Sequence, residues 1–364
     1  MHYPPLPRPS GFSRRSFLLH GASALALAPL LAGGSEPSEV LGQGEFRYRV
    51  VPKWGHLTDA TPVKNCHGIV SDASSEHIIL LTDHTANNVV VYDRSGKLVH
   101  KWGNAFPGAH GLSIVREGGN GGNGGNGGKR AREVLFITDL QTHRVVKATL
   151  DGEILDEWLW PQQTGKYAAE VEYKPSWTLH LPDGGFFVLD GYGRDFITHY
   201  DAAGKFVQIF GGAEGGIGHW GPHGGMVDGE PAQDATLLVA MSDQQHLLRL
   251  SQTGEKLGKV DLPGGNPRQI RRHGSHYFVA HLGDNWPKDR NCRGFVSVLD
   301  SDLRVVSNVG GTAPEYAVDG TLRTMAHTGE TFMHPHDLVV DKDGSIYVAQ
   351  FASQQTYPVK LERV

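Results

Sequence analysis

Four histidines stand in one repeated phrase. It reads GAHGLSIV at 108–115, GPHGGMV at 221–227 and FMHPHDLVV at 332–340, with a looser copy, NCHGIV, at 65–70. In each, a histidine (His110, His223, His336 or His67) precedes a small or acidic residue and then an apolar run. Imidazole is the commonest transition-metal ligand among side chains. Three imidazoles leave one coordination position for water or substrate, which is the arrangement of a catalytic zinc. A histidine before a strand also has a plainer reading, a hydrogen bond to a neighbouring carbonyl, and with 20 histidines in the chain some recurrence is chance. Three matched phrases favour the metal. They lie far apart in sequence, so the fold has to assemble the site.

The elements that position these residues are repeats. Aligned on the histidine phrase, each unit runs through a short apolar strand, a polar hairpin and a strand ending in Asp. A second hairpin and a strand closing on Asp-x-x-Gly-Lys or a relative complete it. The clearest units are IILLTDHTANNVVVYDRSGKLVHKWG at 78–103, VLFITDLQTHRVVKATLDGEILDEW at 134–158 and GFFVLDGYGRDFITHYDAAGKFVQIFG at 185–211. Four short strands per unit, most units running 43–47 residues, is the signature of a propeller blade. The starts fall near His67, His110, Ser176, His223, Arg268 and His336, which predicts an all-β, six-bladed β-propeller. The last unit ends at Val364 after three strands, so EFRYRVV at 45–51 is expected to supply the outer strand and close the ring. The stretch GGNGGNGGNGG reads as a loop insertion in blade 2. In such a ring the six starts surround the channel mouth, and His110, His223 and His336 come from alternate blades. His67 is a candidate extra ligand. His77, His143, His199 and His246 read as surface or packing residues, and Trp177 and Trp286 either line the mouth or pack between blades.

Composition fits this plan. The chain has 364 residues, and 48 glycines with 20 prolines imply many tight turns. A net charge of −5 with no basic stripe excludes a nucleic-acid surface. Two cysteines, Cys66 and Cys292, form no redox or zinc-ribbon spacing and leave both a single disulfide and two free thiols open. The N-terminal SRRSFLLHGASALALAPLLAGG has paired arginines, Arg14 and Arg15, before an apolar run too short for a bilayer span. It resembles a twin-arginine secretory signal, which implies residues 1–44 as signal and linker, a propeller over 45–364, and a periplasmic or extracellular product with no membrane span.

AHGLSIV with TDLQTHRVVK, KPSWTLH, FFVLDGYGRDFITHYDAAGKFVQIFG, RGFVSVLD and HPHDLVVDKDGSIYVA together resemble one family. It is the NHL-type propeller of peptidyl-α-hydroxyglycine α-amidating lyase, from blade 2 to the C-terminus. The resemblance implies a zinc on His110, His223 and His336 and a catalytic tyrosine at Tyr192 in the DGY turn. It also implies a structural calcium held by the main chain of Leu112 and Ile69 and by Asp337. Two arginines that hold the substrate carboxylate in that family are absent: His84 and Ser242 stand at the matching positions. Arg268 in the fifth ring slot, or Arg194 beside the DGY turn, would restore the positive charge. The expected reaction is carbon–nitrogen cleavage of a carbinolamide, on a peptide or small-molecule substrate. The alternatives are another metal-dependent lyase or hydrolase, and a non-catalytic binding propeller with a structural metal.

Overall fold

The structure, a computed structural model, describes residues 39–118, 131–217, 221–283, 288–289, 291–351 and 357–364. The twin-arginine segment, most of the glycine–asparagine insertion and Trp286 lie outside them.

Six antiparallel sheets follow one another along the chain, over 66–102, 109–158, 177–211, 222–261, 265–309 and 335–363. Five have four strands in sequential order. The sixth has five, because the chain's first hairpin joins its last three strands. This is the expected six-bladed propeller. Its helical content is limited to 3₁₀ turns among the described residues, and no helix is long and apolar enough to cross a membrane.

The strand pattern follows from position in the blade. Second and third strands are buried on both faces between neighbouring blades, so Val89–Asp93 reads VVVYD and Phe186–Leu189 reads FFVL. Outermost strands are half-solvated, and Leu98–Trp102 reads LVHKW with its first three residues exposed. The turn before that outer strand is an Asx turn. Asp93 Oδ1 accepts from Ser95 N at 2.8 Å and Lys97 N at 3.1 Å. Gly96 takes φ +88°, where a Cβ would lie 2.6 Å from Gly55 N.

Closure is as expected at its centre. Phe46–Val51 pairs antiparallel with Val359–Arg363, Tyr48 opposite Arg363 and Val51 opposite Lys360. Phe46 and Tyr48 are buried against Phe278, Val296 and Leu361, and burial of Phe46 alone contributes about 2 kcal/mol. One strand of the ring also precedes the expected start at residue 45. Val40–Gln43, within the stretch read as linker, pairs with Phe46–Val51 as a fifth strand. Gln43 fastens it to blade 5: its main-chain N donates to Ser307 Oγ at 2.8 Å, and its Oε1 accepts from Asn308 N at 2.7 Å.

Candidate metal centre on the propeller axis

The six ring slots are buried: His67, His110, Ser176, His223, Arg268 and His336. Five sit in β-bulges. The ladder between first and second strand slips between Cys66 and Gly68, Ala109 and Leu112, Pro222 and Gly224, Pro267 and Gln269, and Pro335 and Asp337. A bulge leaves one residue unpaired and re-aims its side chain, here the slot residue. In blade 3 the strand Trp177–His180 begins one residue after Ser176, without a slip.

Three of the four imidazoles share one support. His110 Nδ1 lies 2.9 Å from Ser176 O, His223 Nδ1 2.9 Å from Arg268 O, and His336 Nδ1 2.7 Å from His67 O. Each acceptor is the carbonyl of the next blade's ring slot. A carbonyl accepts only, so Nδ1 carries the proton and Nε2 keeps its lone pair. The glycine after the histidine allows this approach, since a Cβ on Gly111 would meet Ser176 O at 2.5 Å and one on Gly224 would meet Arg268 O at 2.3 Å. His67 lacks this support, and its Nδ1 lies 3.5 Å from His336 Nε2.

The rings crowd together. His110, His223 and His336 form a near-equilateral triangle with centroids 4.7–4.8 Å apart. His67 lies 4.7 Å from His110 and 4.8 Å from His336. One ligand nitrogen each from His67, His110 and His336 falls within 4.8 Å of the others, so these three buried histidines could hold a metal ion. Burial pushes all four imidazoles down, His67 to about 3, with the Arg268 charge adding to the shift in each and repulsion from neighbouring imidazoles adding to it in His110, His223 and His336. They are therefore neutral at pH 7, the state a metal ligand needs. The donor set fits a transition metal of the zinc type.

Tyr192 closes the outer side. Its hydroxyl lies 3.0 Å from His223 Nε2, 3.3 Å from His110 Nε2 and 3.4 Å from Arg268 Nη1. Burial raises its phenol, and the Arg268 charge opposes that. The DGYGRD turn is held from inside by Asp190. That carboxylate accepts from Arg194 N at 2.7 Å, Lys174 N at 2.6 Å and the Tyr167 hydroxyl at 2.9 Å. Gly193 passes so close that a Cβ would meet Asp190 Oδ1 at 2.1 Å. Arg268 is buried, with its Nε satisfied by no acceptor, and Asp243 is 3.9 Å from its Nη2. Trp177, fully buried, lies 6.2–6.4 Å by centroid from His110, His223 and His336.

The other expected residues divide. Arg194 is not brought to the cluster, because its half-exposed guanidinium pairs with Glu172 at 3.3 Å. Ser242 is buried and donates to Asn266 Oδ1 at 2.8 Å. Cys66 is buried and Cys292 half-buried. Leu112, Ile69 and Asp337 do come together, but they do not fit a calcium ion. Arg271 Nε and Nη2 reach the two Asp337 oxygens at 2.9 and 2.6 Å, and Nη2 also reaches Leu112 O at 3.3 Å. Ile69 N donates to Asp337 Oδ2 at 2.9 Å. A guanidinium therefore uses the Asp337 carboxylate and the Leu112 carbonyl, two of the acceptors a cation would need. Arg271 escaped the sequence reading because one basic residue in RQIRRH looks like its neighbours. Its signal was position alone, on an innermost strand where a charge has to find a partner. Asp190 and His143 were likewise missed, the first hidden in a turn and the second read as a surface or packing residue.

No family model matches the chain, and no curated protein matches it. Solved structures do. A streptogramin B lyase is 16% identical over 83% of this chain and 94% of its own, with a TM-score of 0.50. A virginiamycin B lyase from Staphylococcus aureus is 13% identical over 90% and 100%, TM-score 0.50. A gluconolactonase from Xanthomonas campestris is 10% identical over 86% and 89%, TM-score 0.52. At these identities the likeness is one of fold, and it places the chain among six-bladed propellers.

Proposed function

We infer that the chain is an exported metal-dependent propeller enzyme similar to peptidylamidoglycolate lyase, cleaving the carbon–nitrogen bond of a carbinolamide that bears a carboxylate. One observation carries the reading: a single tyrosine hydroxyl lies within 3.4 Å of two ring imidazoles and a buried arginine. His110, His223 and His336 are the ligands in this account, because those three share the carbonyl support that fixes Nε2 toward the axis. His67 flanks them as an additional donor. Zinc is the metal that suits the set best. Export rests on the Arg14–Arg15 segment.

A bound zinc would act as a Lewis acid, lowering the pKa of the substrate hydroxyl. Tyr192, with its phenol lowered by the charge of a bound metal and of Arg268 against the effect of burial, would take the hydroxyl proton as general base. The electron pair left on oxygen forms the carbonyl, the carbon–nitrogen bond breaks, and the departing nitrogen takes the proton back from Tyr192. The products are an amide and an aldehyde acid, glyoxylate for a hydroxyglycine substrate. Arg268 holds the carboxylate through its unsatisfied guanidinium edge, and its charge favours the phenolate form of Tyr192. Two of the solved propellers are named lyases and one a lactonase, all bond-cleaving enzymes, which agrees with a catalytic role without choosing the substrate.

The test is glyoxylate release from N-acetyl-α-hydroxyglycine by zinc-loaded protein, with and without chelator. Chelator-sensitive release supports the lyase. Stoichiometric metal without release points to a different metal-dependent lyase or hydrolase, and absence of metal points to a binding propeller.

A further inference from the structure

A cavity adjoins Tyr192. About 520 Å³ in volume, it is lined by Leu140, Gln141, His143, Val171, Lys174 and Tyr192. That lies within the usual range for small-molecule sites, roughly 300–1,000 Å³. It runs between the turn after the second strand of blade 2 and the segment leading into blade 3. Tyr192 belongs to both places: its hydroxyl lies near His110 and His223, and the residue also lines this cavity. The imidazole cluster and this cavity therefore meet at one side chain.

The walls are fixed relative to the reacting end. The Asp190 carboxylate accepts from both Lys174 N and Arg194 N, so one buried group ties the cavity wall to the turn that carries Tyr192. His143 takes φ +53°, uncommon for a residue with a side chain. Its Nδ1 is held 2.7 Å from Tyr173 O. Strain of this kind persists where the surroundings over-determine it, and it clusters at ligand sites.

The chemistry is mixed. Leu140, Val171 and the Tyr192 ring are apolar, and Val171 is 61% exposed, a branched side chain left facing solvent at the rim. Lys174 supplies a cation that no acidic side chain pairs with among the described residues. We propose that this cavity is the subsite for the acyl half of the substrate, and that it selects an apolar stem ending in a carboxylate. The inference rests on the lyase reading for where the reacting end sits. A substrate so held carries an anion at each end, one on Arg268 and one on Lys174, with Tyr192 between them.

Two unreactive analogues test it, N-acetylglycine and N-glutarylglycine, titrated by calorimetry into the zinc-loaded full-length protein. The glutaryl compound is expected to bind at least tenfold tighter, and the preference to disappear in Lys174→Glu and to shrink in Val171→Asp. Equal affinity for the two compounds, binding of neither, or a preference that survives both substitutions overturns the proposal. Glyoxylate release from N-acetyl-α-hydroxyglycine, which leaves the cavity unused, is measured separately. Its absence sinks the lyase reading, while the ratio of affinities still decides the subsite.

Discussion

The propeller axis carries two clusters built from nearly the same residues. At the upper level His110 and His336 converge with His223; just below, Leu112 and Asp337, one or two positions further along the same strands, converge with Ile69. Both gather electron-rich atoms on an axis where the chain has little room for anything else. They differ in the cation. The lower cluster contains its own, the Arg271 guanidinium, on Asp337 and the Leu112 carbonyl. The upper cluster has three Nε2 lone pairs and at most two donors for them, the Tyr192 hydroxyl and the His67 Nδ1–H. Arg268 stands at the same level, but it points to Tyr192 and not to the imidazoles. Convergent lone pairs with no cation directly on them could hold a metal ion. Those with a tethered cation brace the fold.

The comparison breaks first at the imidazoles. His223→Ala is expected to abolish stoichiometric transition-metal binding and to lower glyoxylate release about a thousandfold, the scale of several kcal/mol in a barrier. Its thermal unfolding should then cease to respond to added zinc. Tyr192→Phe separates binding from chemistry: metal content should persist while kcat falls roughly a hundredfold or more. A Tyr192→Phe protein that loses its metal would make the tyrosine a support and not a base.

At the lower level the readout is stability. Arg271→Ala leaves Asp337 buried without its partner and should cost about 3 kcal/mol in denaturant unfolding, with metal content unchanged. Added calcium should raise the melting temperature of that variant and leave the parent unaffected, because only the variant has free acceptors. A calcium response in the parent would contradict the role given to Arg271.

Smaller effects sharpen the account. Gly224→Ala would place a Cβ 2.3 Å from Arg268 O, displacing the carbonyl that orients His223, and should weaken zinc binding roughly tenfold or more. Acid should destabilise the fold apart from the metal. Burial holds His180 and His281, both away from the axis cluster, at about 3. The unfolded chain takes up those protons near its ordinary pKa of about 6.5, so their contribution is complete above that pH and is lost as pH falls toward 3. The same decline in melting temperature is expected in His223→Ala.

The blades were legible because each repeats the same burial pattern and the same turn chemistry. Asp93, Asp201 and Asp300 all form Asx turns, and a recurring phrase reveals its period without alignment. His110, His223 and His336 could be grouped for the same reason, since equal positions in equal blades meet at the axis. Val40–Gln43 was not legible, because a single strand outside the period has no copy to be matched with. Arg271, Asp190 and Lys174 were missed on different grounds. Each acts through a contact between blades or between a turn and a loop, which no spacing within one unit encodes. The resemblance carried a calcium into the lower cluster, and one side chain from blade 5 took its acceptors.

The most direct test of the central claim is metal content by mass spectrometry, on the purified protein, on a His110→Ala, His223→Ala double variant and on Arg271→Ala, all loaded with zinc and dialysed. The account predicts close to one transition metal per chain in the parent and in Arg271→Ala, and none in the double variant. No metal in the parent, or metal retained by the double variant, would contradict it.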